Sequence, residues 1–140
     1  MYIPIVRWAQ RFGNGDWKPS FDLFLSGHWK DGGMSQLHAL VVYVPASHSE
    51  GLLAAIGDAG AGRIGDYSHC SFTTPGTGRF TPLRGAQPFI GMVGQGETVP
   101  EIRVECVVEA DMLDAVVQAL RAAHPYEEPA FMTWPVNGWR

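Results

Sequence analysis

Apolar positions recur with two different periods along the chain. Residues 37–44, LHALVVYV, are almost continuously apolar and β-branched, and Pro45 closes the run, which predicts a strand covered on at least one face. Ser47-His48-Ser49-Glu50 then has the form of a capping box, with Ser47 accepting the N3 backbone N–H and Glu50 reaching back to the N-cap. Leu52, Leu53, Ile56 and Ala59 follow at helical spacing, and Gly60 is placed to stop the helix. Over 99–108 the pattern alternates, with Ile102, Val104, Cys106 and Val108 set against Arg103 and Glu105, as in a half-buried strand. The helical period returns over 111–123 in Met112, Leu113, Val116, Val117 and Leu120. Asp111 and Asp114 suit the start of that helix, Arg121 its last turn, and Pro125 forbids continuation. Residues 130–136 read as a closing strand.

Between the first helix and the alternating strand, residues 60–100 are rich in glycine. Two strand-like pieces, 67–74 and 78–82, are joined by Thr74-Pro75-Gly76-Thr77, which predicts a hairpin with a flexible tip. A long loop over 83–96 follows, of the kind that often carries function in a small domain. The resulting order, β-α-β-β-(β)-α-β, predicts an α+β fold of the ferredoxin-like split βαβ type. Two helices would pack on one face of an antiparallel sheet, leaving the other face open to association as a dimer or trimer.

Composition adds limits. A chain of 140 residues, 46% hydrophobic, is sized for one globular domain. No apolar run reaches the ~20 residues that span a bilayer, so no membrane partner is expected. A formal charge of −4 argues against nucleic acid as a partner. Two cysteines are too few for a disulfide scaffold and no secretory signal leads the chain, which suits the cytoplasm.

The residues are unevenly spread. Residues 1–33 hold three of the five tryptophans and both lysines, at a net charge of +1. Residues 34–140 hold six arginines, eleven acids and no lysine, at −5. Lys30-Asp31-Gly32-Gly33 can be encoded by a purine-rich stretch like a bacterial ribosome-binding site ahead of the Met34 codon. The expectation is that 1–33 is a mis-assigned leader or a disordered N-terminal extension, and that 34–140 is the domain.

Candidate chemistry falls in three places. Gly60, Gly62 and Gly65 lie between a helix and a strand, the reverse of a Rossmann phosphate loop. They suit a helix stop with a tight turn, or a backbone nest for an anion assisted by Arg63 or Arg79. His124, Tyr126, Glu127 and Glu128 either brace a strand entry between Pro125 and Pro129 or form a ligand or divalent-metal site. Imidazole and carboxylate suit Zn²⁺, Cu²⁺ or Ni²⁺, and His69 or Cys70 could complete that site. Cys70 with His124 is the conceivable nucleophilic pair, with no third group to orient it. Cys106 alternates with core positions and reads as a small hydrophobe.

Three strings carry a resemblance: Gly60-Ala61-Gly62-Arg63-Ile64-Gly65-Asp66-Tyr67-Ser68-His69-Cys70-Ser71-Phe72, then Gly76-Thr77-Gly78-Arg79-Phe80-Thr81-Pro82-Leu83, then His124-Pro125-Tyr126-Glu127-Glu128-Pro129-Ala130. In this order and spacing they resemble the middle domain inserted in bacterial NIF3-like proteins of the YqfO type, often labelled GTP cyclohydrolase type 2 homologues. That insert is similar to the CutA and PII family, which implies a ferredoxin-like fold and a homo-oligomer. Gly76 and Gly78 occupy the connection that carries a regulatory loop in PII-like proteins. The flanking α/β domain whose His, Asp and Glu residues hold a dinuclear metal centre in NIF3-like proteins has no counterpart in these residues, so the resemblance does not carry hydrolase activity with it. It implies a non-catalytic, metal- or small-ligand-responsive regulatory or interaction module. The expected ligand residues are Gly62, Arg63, Gly65, Gly76, Gly78, Arg79 and Tyr126, and the expected metal residues His124, Glu127, His69 and Cys70. The alternative is a partner subunit for a separate NIF3-like hydrolase.

Overall fold

The computed structural model describes residues 36–137; the expectations for residues 1–33 and for a start at Met34 lie outside the described residues. Strand β1 (Leu37–Pro45) runs through a 3₁₀ turn (Ala46–His48) into helix α1 (Ser49–Asp58). Strands β2 (Phe72–Phe80) and β3 (Glu97–Glu109) follow, then a second 3₁₀ turn (Ala110–Met112), helix α2 (Leu113–Ala123) and strand β4 (Phe131–Val136). The sheet order is β2-β3-β1-β4 and every neighbouring pair is antiparallel, which is the ferredoxin-like α+β arrangement.

The even-numbered side chains of β1 explain its unbroken apolar run. Leu40, Val42 and Val44 are fully buried against Leu52 and Ile56 of α1 and Val116 and Leu120 of α2, with Val104 and Val108 of β3 in the same cluster. Both helices therefore cover one face of the sheet. Because β1 is central, its odd positions are also crowded, and Val41 on the opposite face is only 1% exposed. The alternation read in β3 holds: Ile102 and Cys106 pack beside the core, and burial pushes the Cys106 thiol up to about 11.

Two local expectations are corrected. Thr74-Pro75-Gly76-Thr77 is no turn: it lies inside one continuous strand, paired in register with Arg103, Ile102, Glu101 and Pro100. Strand β2 is the sheet's edge, where a proline lacking its N–H is tolerated, so turn-forming residues continue a strand there. The reversal comes instead in the 81–96 loop, which is as long as the sequence implied. The capping box does not form either. The 3₁₀ turn at Ala46–His48 delays the helix, Ser47 Oγ lies 2.9 Å from His48 Nδ1, and Ser49 Oγ donates to Ala46 O at 3.0 Å. The other end of α1 closes as expected, with Gly60 (φ +113°) donating to Gly57 O and Ala61 to Ile56 O in a Schellman motif.

Candidate functional site

Directly opposed residues of antiparallel strands project to the same face. On the helix-free face that rule puts Gly76 beside Glu101, Gly78 beside Val99, and Thr74 and Tyr43 on either side of Arg103. With no side chains at 76 and 78, β2 leaves a trough above Glu101, and a Cβ on Gly78 would fall on the Glu101 carboxylate. The long loop forms one wall through Pro82, Pro88, Phe89 and Ile90, and the segment after α2 forms another through Tyr126, Glu127 and Ala130. The two walls are fastened together by Gln87 N–H, which donates to Glu127 Oε1 at 2.9 Å. Gly94 N–H closes the loop on Pro82 O at 2.8 Å, and Phe89 sets its ring edge-on to His48 with centroids 5.4 Å apart. The result is a mainly apolar cleft of about 580 Å³.

Its polar groups are tightly coupled. Glu101 is 9% exposed and accepts a 3.0 Å hydrogen bond from the Tyr126 hydroxyl, whose pKa is pushed up to about 12 by burial and then by that carboxylate. Arg103 donates from Nη1 to Tyr43 Oη at 3.0 Å and from Nη2 to Glu105 Oε1 at 2.7 Å, which holds Glu105 below the usual carboxylate range. Tyr126 is positioned by His124. The Tyr126 N–H donates to His124 Nδ1 at 3.1 Å, so the imidazole proton sits on Nε2, which donates to Tyr43 O at 2.9 Å. His124 is thus a neutral clamp between β1 and the cleft wall, with both ring nitrogens engaged.

Burial holds the His124 pKa below its ordinary value, against the opposing pull of its bond to Tyr43 O and of Glu101. A histidine depressed in the folded state binds fewer protons folded than unfolded. Its contribution is complete above the unfolded value near 6.5 and is lost as pH falls through the lower folded value. Urea unfolding at pH 7.5, 6.0 and 5.0 should therefore show the wild-type chain weakening with acid more steeply than His124→Gln. Equal slopes would remove His124 as the cause.

The sequence-predicted residues divide between two regions. Gly76, Gly78, Arg79, Tyr126 and Glu127 line the cleft. Gly62, Arg63, Gly65, His69 and Cys70 lie elsewhere, around the end of α1. Gly62 N–H donates to Val107 O at 2.7 Å, so it is not free to cradle an anion, and its own carbonyl accepts Cys70 N–H at 2.9 Å. His69 (φ +59°) lays its ring over Gly57, with Nε2 3.2 Å from Asp58 Oδ1 and Nδ1 3.1 Å from Ser68 Oγ. Among the described residues no three His, Cys, Asp or Glu side chains converge as a metal-ligating group. His69 and Cys70 share a small crevice with Cys106, while His124 and Glu127 brace the cleft. With its ring nitrogens engaged, His124 is also not available as a base for Cys70. Sequence reasoning missed Glu101, Tyr43, Phe80 and Phe89. The available signal was that Glu101 shares the parity of Arg103 and Glu105 on β3.

No protein-family model matches the chain. Curated relatives do. It is 51% identical over 101 residues to the GTP cyclohydrolase 1 type 2 homolog of Bacillus subtilis, covering 72% of this chain and 27% of that protein. With the protein of that name from Mycobacterium tuberculosis it shares 54% identity over 99 residues, 71% of this chain and 26% of the relative. The chain thus spans about a quarter of the length of the curated relatives it matches. Among solved structures, a Bacillus cereus protein related to NIF3 superposes with a TM-score of 0.65 at 42% identity, over 74% of this chain and 26% of that one. The periplasmic divalent cation tolerance protein CutA from Archaeoglobus fulgidus superposes at 0.54 with 14% identity, over 74% of this chain and 87% of that one, which shows a common fold.

Proposed function

We propose that this insert-like relative of the NIF3-related proteins, built on a CutA-like fold, is a non-catalytic binding module of the cytoplasm that self-associates and takes a small ligand in the cleft. The observation that carries the reading is the cleft itself. At about 580 Å³ it is within the size range of small-molecule sites, and aromatic and aliphatic walls surround a few convergent polar groups. A ligand seated there would touch the long loop, β2 and the segment after α2 together, which is a means of regulating an interaction through those surfaces. No helix among the described residues is long and apolar enough to cross a membrane.

Self-association is supported by the rest of the helix-free face. Phe72, Met132 and Trp134 stand on it by register and are 66%, 46% and 41% exposed. Apolar groups gathered on one sheet face are the usual substance of an interface. A second reading, docking on a separate NIF3-like hydrolase, is favoured by the quarter-length match, since three quarters of each relative lies outside it. Co-purification of such a protein, lost on Trp134→Glu, would favour that reading.

Gly76→Trp tests the binding function. A Cβ there meets nothing within 4 Å, so the indole should fill the cleft without disturbing the strand. In a ligand-observed NMR screen of a fixed set of small-molecule fragments, wild-type protein is expected to give hits that Gly76→Trp loses. Hits that all survive the substitution would remove the cleft as the site.

A further inference from the structure

We infer that the cleft selects a small organic cation, an amine, amidine or guanidine with a flat or apolar body, held by the carboxylate of Glu101. The inference rests on reading the cleft as a binding site. Glu101 is buried as a residue, yet only one of its oxygens is engaged: Oε1 accepts from Tyr126, while Oε2 bonds to no described residue, takes up the space that a side chain at Gly78 would fill, and keeps a small solvent contact where Glu101 lines the cleft. A carboxylate so withdrawn from water calls for a donor at its remaining oxygen, and an ionised donor gives the stronger bond.

The surrounding charges leave that role open. Arg103 on the same strand is committed to Tyr43 and Glu105. Glu128 lines the cleft 3.9 Å from Arg121, which does not, and Glu127 in the lining accepts the Gln87 N–H at Oε1. Arg79 is exposed. Counting Glu101, Glu127 and Glu128 against Arg79 and Arg103, the lining carries one net negative charge. Its walls suit a flat cation as well. Phe80 and Tyr126 meet at 5.6 Å and Phe89 and Tyr126 at 6.4 Å between centroids, and aromatic faces attract cations.

Three probes of one shape separate charge from fit: benzamidinium, benzamide and benzoate, titrated into the full chain by calorimetry and followed by backbone amide NMR. Benzamidinium should bind roughly tenfold or more tightly than benzamide, the weight of one charge-assisted hydrogen bond, with benzoate weakest. Glu101→Gln, which keeps an acceptor for Tyr126, should bring benzamidinium to the level of benzamide and leave benzamide unmoved. Benzoate binding tightest, or benzamidinium indifferent to Glu101→Gln, overturns the cation while leaving a ligand cleft intact. No binding by any probe overturns both readings. Should Glu101→Gln not fold, Gly76→Trp decides, since benzamidinium binding that survives it places the cation elsewhere.

Discussion

Gly62→Val should cost about 3 kcal/mol and detach the 62–71 segment from the sheet, seen as a fall in melting temperature on the order of 15 °C. Gly62 has φ +72°, where a β-branched residue is strained, and an added Cβ would run into the backbone of Cys70 and His69. Relief by rotation is closed off, because the N–H is tied to Val107 O and the carbonyl to Cys70 N–H. The obstacle is the Cβ itself, so Gly62→Ala should lose nearly as much as the valine. Melting of either variant within a degree or two of wild type would mean that the segment is not anchored there.

Leu120→Ala should be comparably severe, at roughly 2–5 kcal/mol in urea unfolding. Leu120 is fully buried where α2 meets Val104, Val108 and Leu52, and ladder-bonded strands cannot readily collapse into the space it leaves. In a small domain whose total stability is of order 5–15 kcal/mol, such a loss is a large fraction. Phe72→Ala provides the contrast. Its ring is 66% exposed, and its removal should change the stability of the isolated protomer by about 0.5 kcal/mol at most. Equal losses at the two positions would contradict the placement of the core.

The strongly periodic elements were legible because one face of each is committed to the core. Leu40, Val42 and Val44, the alternation of β3 and the stripe on α2 each report burial directly. Thr74-Pro75-Gly76-Thr77 was misread because its composition reports turn chemistry, while its conformation is decided by pairing with residues 100–103. The same limit governs the site. Tyr126, Gly76, Gly78 and Arg79 could be singled out as motif residues. Glu101 offers only its parity with Arg103 and Glu105, because its burial comes from a tyrosine 25 positions later and from a glycine on the neighbouring strand that leaves room for its carboxylate. His124 reads as a metal ligand until its partner, the Tyr43 carbonyl 81 positions away, is in view.

The two outer strands share a further property. Pro75 lies in β2 and Pro135 in β4, so each border of the sheet is missing a backbone donor partway along its length. Neither border can template an uninterrupted ladder with another chain, which guards against open-ended, fibre-like growth. If copies of this protein associate, they are expected to do so other than by continuing the sheet past Pro75 or Pro135.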